Sequence, residues 1–194
     1  MVRLVRVGMA PDADIRISDI DPHAQGSDFT LTGGAESPIE LKAERFTVPM
    51  VGEFNVRNAA MALCAARFAG LDAEQLRRSL LRFEGVMRRQ EVRGTVNDVT
   101  VVDDFAHHPT AITQSIAGLR QRFPKSRLWV LFEPRSNTTI RNLFQHELAE
   151  ALSHADFPVV AHVVSHVHPG DVLLVMSNGG FGGIHNKLLA ALAQ

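Results

Sequence analysis

The stretch VVDDFAHHPTAI, residues 101–112, concentrates ionisable side chains that could do chemistry. Asp103 and Asp104 are adjacent carboxylates, and His107 and His108 are adjacent imidazoles a few positions later. Such groups can ligate a metal ion, transfer protons or accept hydrogen bonds from a substrate. They could equally end a strand, cap the next helix and lie on the surface. A metal site would need a third ligand at a suitable spacing, and the sequence shows none.

Two further segments follow apolar runs and could belong to the same site. EPRSNTT (133–139) follows one run and SNGGFGGIH (177–185) follows another. Ligands of an open parallel sheet bind outside the carboxyl ends of its strands, so the three segments are expected to meet at one edge. Glycines before a helix let backbone N–H groups approach an anion, although such a segment can also be a simple turn.

An asparagine pair and an arginine pair could bind a nucleotide. Asn55 and Asn58 are three residues apart, which predicts one face of a helix, and carboxamides offer the donor and acceptor that read an adenine edge. Arg88 and Arg89 carry guanidinium groups, which bind phosphate as a planar fork. Alternatively, the asparagines cap the helix and the arginines are a solvated pair.

The elements that must position these residues fall into two parts. Residues 1–50 are β-rich, with alternating apolar and polar residues in ADIRISDI and SDFTLTG and a further strand-like run in IELKAERFTVP. An alanine-rich helix then runs from Asn55 to Gly70, and Asp72 is predicted to cap a second helix. The segment EGVMRRQEVRG breaks this pattern and predicts a domain boundary between residues 85 and 86.

Residues 86–194 alternate strands and helices, which predicts an α/β fold with a mainly parallel, Rossmann-like sheet. A hairpin is expected to turn at Asn97-Asp98, and Pro109 is expected to start a helix. SRLWVLFEP and DVLLVMS are apolar throughout, as in strands covered on both faces. Residues 155–169 are too few for the strand, helix and crossover expected there, which predicts a missing or contracted segment.

Composition limits the classes of protein that fit. The 194 residues are 45% hydrophobic with a formal net charge of −1, so bulk charge implies neither a nucleic acid nor a membrane surface as partner. No run reaches the ~18 uninterrupted apolar residues of a membrane helix. Cys64, the single cysteine, falls in the alanine-rich helix and is predicted to pack in the core. These features predict a cytoplasmic protein.

In series, GEFNVRNAAMAL, FEGVMRRQEVRG, VVDDFAHHPTAI, EPRSNT and SNGGFGGIH resemble motifs of the Mur ligase family of peptidoglycan synthesis. That family has a UDP-binding domain, a central ATPase domain and a Rossmann-like C-terminal domain. The resemblance assigns residues 1–85 to the end of the central domain and residues 86–194 to the C-terminal domain. The sequence has no G-x-x-x-x-G-K-[ST] phosphate loop, and the family's magnesium ligands fall mostly outside it. This polypeptide alone is therefore not expected to catalyse ligation.

The resemblance implies an ATP-dependent amide ligase. ATP phosphorylates the carboxylate of UDP-N-acetylmuramate, the amine of an incoming peptide attacks the acyl phosphate, and phosphate leaves. Positioning and charge neutralisation dominate such a reaction. The implied cofactors are ATP and Mg²⁺, and the implied partners are UDP-N-acetylmuramate, a murein tripeptide and the remaining segments of the same enzyme.

The resemblance also assigns a role to each candidate residue. For ATP, Asn55 and Asn58 would contact adenine, Arg89 the phosphates, and Asp104 the ribose, with Asp103 orienting the loop. The catalytic candidates are His107 and His108, facing the muramate substrate or the forming bond. The candidates for substrate binding are Phe105, Arg135, Ser136, Asn137, Thr138, Ser177, Asn178 and Gly179.

Two details favour one member of the family. The member that adds L-alanine carries tyrosine-glycine where this chain has Phe105-Ala106, and it lacks the EPRSNT form. Both differences favour the member that joins L-Ala-γ-D-Glu-meso-diaminopimelate to UDP-N-acetylmuramate in peptidoglycan recycling. The alternatives are an L-alanine-adding paralogue, a non-catalytic module that binds a nucleotide or muropeptide, and a metal-dependent hydrolase that uses the Asp and His residues of 103–108.

Overall fold

The computed structural model describes residues 4–34, 37, 39–134, 143–159 and 166–193. The chain forms two compact units, Met1–Glu84 and Gly85–Gln194. Which family domain each unit represents stays a prediction. Residues 160–165, in the stretch where a missing or contracted segment is predicted, lie outside the described residues. No helix among those described is long and apolar enough to cross a bilayer.

The first unit packs a sheet in the order β1-β2-β3-β4 against helices α1 and α2. The strand at residues 39–49 is shorter than expected and begins only at Glu44, because Ala43 has a φ of 53° that an extended chain does not adopt. Asp72 caps α2 as predicted, in a reciprocal capping box with Gln75. The elements are β1 (Val7–Gly8), β2 (Ile15–His23), β3 (Gly26–Gly33), β4 (Glu44–Val48), α1 (Glu53–Phe68) and α2 (Ala73–Leu81).

The second unit contains a sheet in the order β5-β6-β9-β7-β8. Its strands are β5 (Glu91–Val96), β6 (Val99–Asp104), β7 (Leu128–Phe132), β8 (Phe157–Val159) and β9 (Val172–Met176). Its helices are α3 (Pro109–Arg122), α4 (Gln145–Ser153) and α5 (Ile184–Leu192). All neighbouring strands run parallel except the β5–β6 hairpin, which turns at Asn97-Asp98 as predicted. The predicted α/β fold with a mainly parallel sheet is confirmed.

Helices cover both faces of this sheet, and β6 contributes to both. Side chains alternate along a strand, so neighbouring residues of β6 face opposite sides. Val101 belongs to the apolar cluster that contains Leu188 of α5. Val102 belongs to the cluster that contains Ile112 of α3. The two carboxylates that end β6 continue this alternation.

Candidate active site

Asp103 and Asp104 end β6 beside the end of β9, at the carboxyl edge of the sheet. Asp104 is directed towards α3, where it contacts Ser115, and Asp103 is directed towards α5, where it approaches His185. Each aspartate is only 4% exposed. Because the two carboxylates lie on opposite faces of the strand, they cannot share one metal ion. In the described ranges, no three His, Cys, Asp or Glu side chains are grouped so that they could hold a metal.

The Asp104 carboxylate holds the start of the loop that follows β6. Its Oδ2 accepts hydrogen bonds from Gln90 N at 3.0 Å and Ser115 Oγ at 2.7 Å, and its Oδ1 accepts one from Ala106 N at 2.7 Å. Burial raises the pKa of the Asp104 carboxyl, and the hydrogen bonds and the charge of Arg89 offset only part of this effect. A carboxylate offers about four lone-pair sites, which leaves one on Oδ1 for a substrate. The contact with ribose stays a prediction.

Arg88 joins the loop after β6 to the segment after β9. Its guanidinium donates to the carbonyl of Ser177 and, at 2.8 Å, to the carbonyl of Gly179. Its own carbonyl accepts a hydrogen bond of 2.8 Å from Phe105 N, and its guanidinium carbon lies 5.2 Å from the centroid of the Phe105 ring. The two adjacent arginines are therefore not equivalent, since the protein engages Arg88 whereas Arg89 is exposed.

Ser177 ties together the ends of three neighbouring strands. Its hydroxyl donates to Glu133 Oε2 at 2.6 Å and accepts from Gly179 N at 2.9 Å. Its backbone N–H donates to the carbonyl of Asp104 at 3.2 Å. Ser177 is 1% exposed, so its hydroxyl serves the architecture of the edge. Sequence reasoning assigned no role to Glu133, although its position directly after an apolar strand was a usable signal.

Phe105 brings Arg89 and His107 together. The guanidinium carbon of Arg89 lies 5.5 Å from the ring centroid, and the His107 ring meets Phe105 edge-on at 5.2 Å. His107 Nδ1 lies 3.0 Å from the carbonyl oxygen of Phe105. A carbonyl can only accept, so Nδ1 carries the proton, and in the neutral imidazole the lone pair is on Nε2. The Nε2 atom of His107 is therefore not used by this contact.

His108 has different surroundings from its neighbour. Its backbone forms the N-cap of α3, its side chain makes no capping bond, and its ring meets Phe144 edge-on at 5.3 Å. His108 is exposed and borders an open groove of about 510 Å³ between α3 and α4, which Thr113 and Glu147 also line. The two histidines paired by the sequence therefore contact different groups.

The asparagine pair lies in the first turns of α1, in the first unit. Asn55 is buried and its Nδ2 donates to the carbonyl of Val51 at 2.7 Å, whereas Asn58 is exposed. The helix is capped by Gly52 without a side-chain bond. The alternative that the asparagines cap this helix is therefore wrong.

Some residues of the site were predicted and others were missed. Asn178 and Gly179 lie in the segment after β9, as expected. Gln90, Ser115 and His185 hold the two aspartates and were not singled out, because each lies far in sequence from its partner. The predicted substrate residues Arg135, Ser136, Asn137 and Thr138 lie outside the described residues.

Comparisons with known proteins find similar sequences and structures. Residues 88–163 match the family model described as Mur ligase, glutamate ligase domain. The chain is 40% identical over 177 residues to the UDP-N-acetylmuramate–L-alanyl-γ-D-glutamyl-meso-2,6-diaminoheptandioate ligase of Escherichia coli, covering 75% of this chain and 39% of that protein. It is 33% identical to the UDP-N-acetylmuramate–L-alanine ligase of Caulobacter vibrioides, covering 83% of this chain and 34% of that one.

A solved structure resembles the chain over almost its whole length. The crystal structure of a murein peptide ligase from Psychrobacter arcticus superposes with a TM-score of 0.61 and 30% identity, covering 97% of this chain and 46% of that one. The chain thus spans less than half the length of these relatives. With the matched domain, these identities and the loops at the carboxyl edge of its sheet, the chain belongs to the Mur ligase family.

Proposed function

We propose that this chain is part of an ATP-dependent ligase that joins the tripeptide L-Ala-γ-D-Glu-meso-diaminopimelate to UDP-N-acetylmuramate. ATP, accompanied by Mg²⁺, would activate the muramate carboxylate, and the tripeptide amine would attack the acyl phosphate. Family membership and the name of the E. coli relative support this reaction. The Phe105-Ala106 pair supports the tripeptide-adding member over the L-alanine-adding one.

The observation that carries the proposal is the arrangement around Phe105. Among the described residues, the Arg89 guanidinium makes no hydrogen bond or ion pair, so its charge is available to a phosphate. His107 next to it presents the Nε2 lone pair. Attack by an amine on an acyl phosphate needs a positive charge for the leaving phosphate and a base for the amine proton. Arg89, before β5, and His107, after β6, would supply these two chemistries on either side of Phe105.

The other candidate residues keep the roles that the family resemblance gives them. Asn55 and Asn58 would contact adenine, and the free lone pair of Asp104 would accept from ribose. His108 would face the muramate substrate. The tripeptide, with its several carboxylates, would contact Arg135, Ser136, Asn137, Thr138, Asn178 and Gly179, whereas the buried Ser177 would support this edge from beneath. We also propose a cytoplasmic location, where ATP and UDP-linked precursors are present.

Replacement of His107 by asparagine tests the mechanism in the full natural polypeptide that carries these residues. Asparagine retains an N–H donor near the position of Nδ1, so it preserves the bond to the Phe105 carbonyl while removing the Nε2 lone pair. We expect kcat to fall roughly 10²- to 10⁴-fold, as for loss of a general base, with little change in KM. His146→Asn, an exposed histidine on α4, is the matched control.

The substrates that support ADP release distinguish the proposed function from its alternatives. The wild-type polypeptide should release ADP only when both UDP-N-acetylmuramate and the tripeptide are present. ADP release that L-alanine supports better than the tripeptide would identify an L-alanine-adding paralogue. Binding of ATP or the muramate without ADP release would identify a non-catalytic module. Unchanged turnover by His107→Asn would refute the role of the imidazole.

A further inference from the structure

The buried carboxylate of Asp103, at the start of the loop that carries His107, also contacts groups outside that loop. The side chain of Asp103 is 5% exposed and lies between two cations or potential cations. Its Oδ2 is 3.6 Å from Arg88 Nε, and its Oδ1 is 3.2 Å from Nε2 of His185, whose side chain is 13% exposed. Neither Asp103 Oδ1 nor His185 Nε2 makes a hydrogen bond of regular geometry in the described part of the chain. Burying such groups is unfavourable unless they interact with each other.

The short distance fixes the position of one proton. Two lone pairs 3.2 Å apart would repel, so the contact is attractive when His185 Nε2 carries hydrogen, although the two atoms are not aligned as in a regular hydrogen bond. Burial lowers the pKa of His185; Asp103 opposes this effect, and Arg93 and Arg88 add to it. The neutral imidazole with its proton on Nε2 satisfies this contact near neutral pH.

Arg88 and Asp103 hold the segment after β9 from both ends. At its start, Arg88 binds the carbonyls of Ser177 and Gly179. At its end, His185 in the first turn of α5 faces Asp103. Between these points Gly182 and Gly183 have positive φ values of 58° and 71°, and a Cβ at either would meet no atom within 4 Å. Phe181 packs against the apolar cluster that contains Leu188, but the two glycines after it make no side-chain contacts, so the polar contacts at the two ends help to fix the backbone of the segment.

We propose that Asp103, through His185 and Arg88, is a positioning residue for the incoming peptide. The clamp it forms holds the backbone of residues 177–183 against the loop that carries His107. This inference rests on the proposed function, in which Asn178 and Gly179 contact the tripeptide. Asp103 and Asp104 would thereby act on different substrates. Asp103 would position the segment 177–183, which contacts the peptide, and Asp104 would position the loop after β6, which lies next to ATP.

Paired substitutions of His185 in the full natural polypeptide test the contact. Glutamine places an N–H donor close to the position of Nε2 and does not titrate, whereas phenylalanine retains the ring without a donor. We expect His185→Phe to raise the tripeptide KM roughly five- to fiftyfold, as for loss of a hydrogen bond to a buried charge, with the KM for ATP unchanged. His185→Gln should stay within about twofold of wild type. In the double variant with Asp103→Asn, His185→Phe should add little.

Hydrogen exchange of the same polypeptide without substrates provides a second measurement. The amides of residues 179–183 should exchange roughly tenfold faster in His185→Phe than in wild type or His185→Gln, while those of α3 stay unchanged. The proposal is overturned if the phenylalanine variant binds tripeptide as wild type does, if glutamine fails like phenylalanine, or if exchange does not change. If the wild type shows no ligation, the proposed function fails and the link to the peptide with it, and exchange alone then decides whether the clamp exists.

Discussion

The hydrogen bond from Ser115 to Asp104 can be removed by deleting a single oxygen atom, the hydroxyl of Ser115. Ser115 Oγ donates to Oδ2 of Asp104 at 2.7 Å, and Ser115 is 2% exposed. Ser115→Ala deletes only this hydroxyl and leaves the donors Gln90 N and Ala106 N in place. The carboxylate then remains buried with two hydrogen bonds instead of three, so the free energy of unfolding should fall.

The size of the loss follows from two opposing effects. A hydrogen bond to a charged group contributes about 1.5–3 kcal/mol, and alanine is about 0.5 kcal/mol better than serine inside a helix, so the net loss is about 1–2.5 kcal/mol. Losing a donor also disfavours the charged form of Asp104, so the pKa of its carboxyl, already raised by burial, should rise further. The variant should therefore be most destabilised above the range in which Asp104 ionises.

Urea unfolding followed by tryptophan fluorescence measures this loss. Trp129 is the single tryptophan and lies in β7, so its emission reports the second unit. Thr113→Val is the matched control on the same helix, because the Thr113 hydroxyl bonds only to the helix carbonyl of Pro109, and its loss should cost under about 0.5 kcal/mol. If Ser115→Ala is no less stable than this control, Asp104 does not depend on its third hydrogen bond and our account of the loop is wrong.

Three further predictions concern pH and substrate binding. Burial alone would raise the pKa of Asp171, but hydrogen bonds from Arg127, the His168 amide and Trp129 outweigh it and hold the pKa of the carboxyl below its ordinary value. The stability it provides is present above about pH 3.9 and lost as pH falls through the folded pKa, so Asp171→Asn should flatten the acid limb of a urea-midpoint series. Burial lowers the pKa of His185. Its contribution to the free energy of unfolding is therefore present above about pH 6.5 and is lost as pH falls through the folded pKa. His185→Gln should abolish this loss in the same urea-midpoint series. Arg135→Ala should raise the tripeptide KM roughly ten- to a hundredfold in steady-state assays, and an unchanged KM would contradict its role.

The order and type of the elements could be predicted because their causes are local. Alternation of apolar and polar residues predicted β2 and β3, the alanine-rich run predicted α1, and Asp72 predicted the start of α2. The turn between β5 and β6 could be predicted from Asn97-Asp98, because both residues accept the positive φ that such a turn requires. The start of β4 was misplaced, since the backbone at Ala43 departs from the extended form that the side-chain pattern suggests.

The sequence by itself predicted that the acidic segment 101–112, EPRSNTT and the glycine-rich SNGGFGGIH follow strands at one edge of a parallel sheet. It could not decide which member of each pair faces a substrate. Which residue of each pair faces a substrate depends on contacts that form only when the chain folds. Arg88 donates to the carbonyl of Gly179, 91 residues away, and Asp104 accepts from Ser115. Adjacent residues of the same type look alike in the sequence. On a strand, however, their side chains point to opposite faces of the sheet and contact different helices. Only the tertiary structure therefore shows that Arg88 is bound by the protein whereas Arg89 is exposed. It also shows that Asp103 faces α5 whereas Asp104 faces α3.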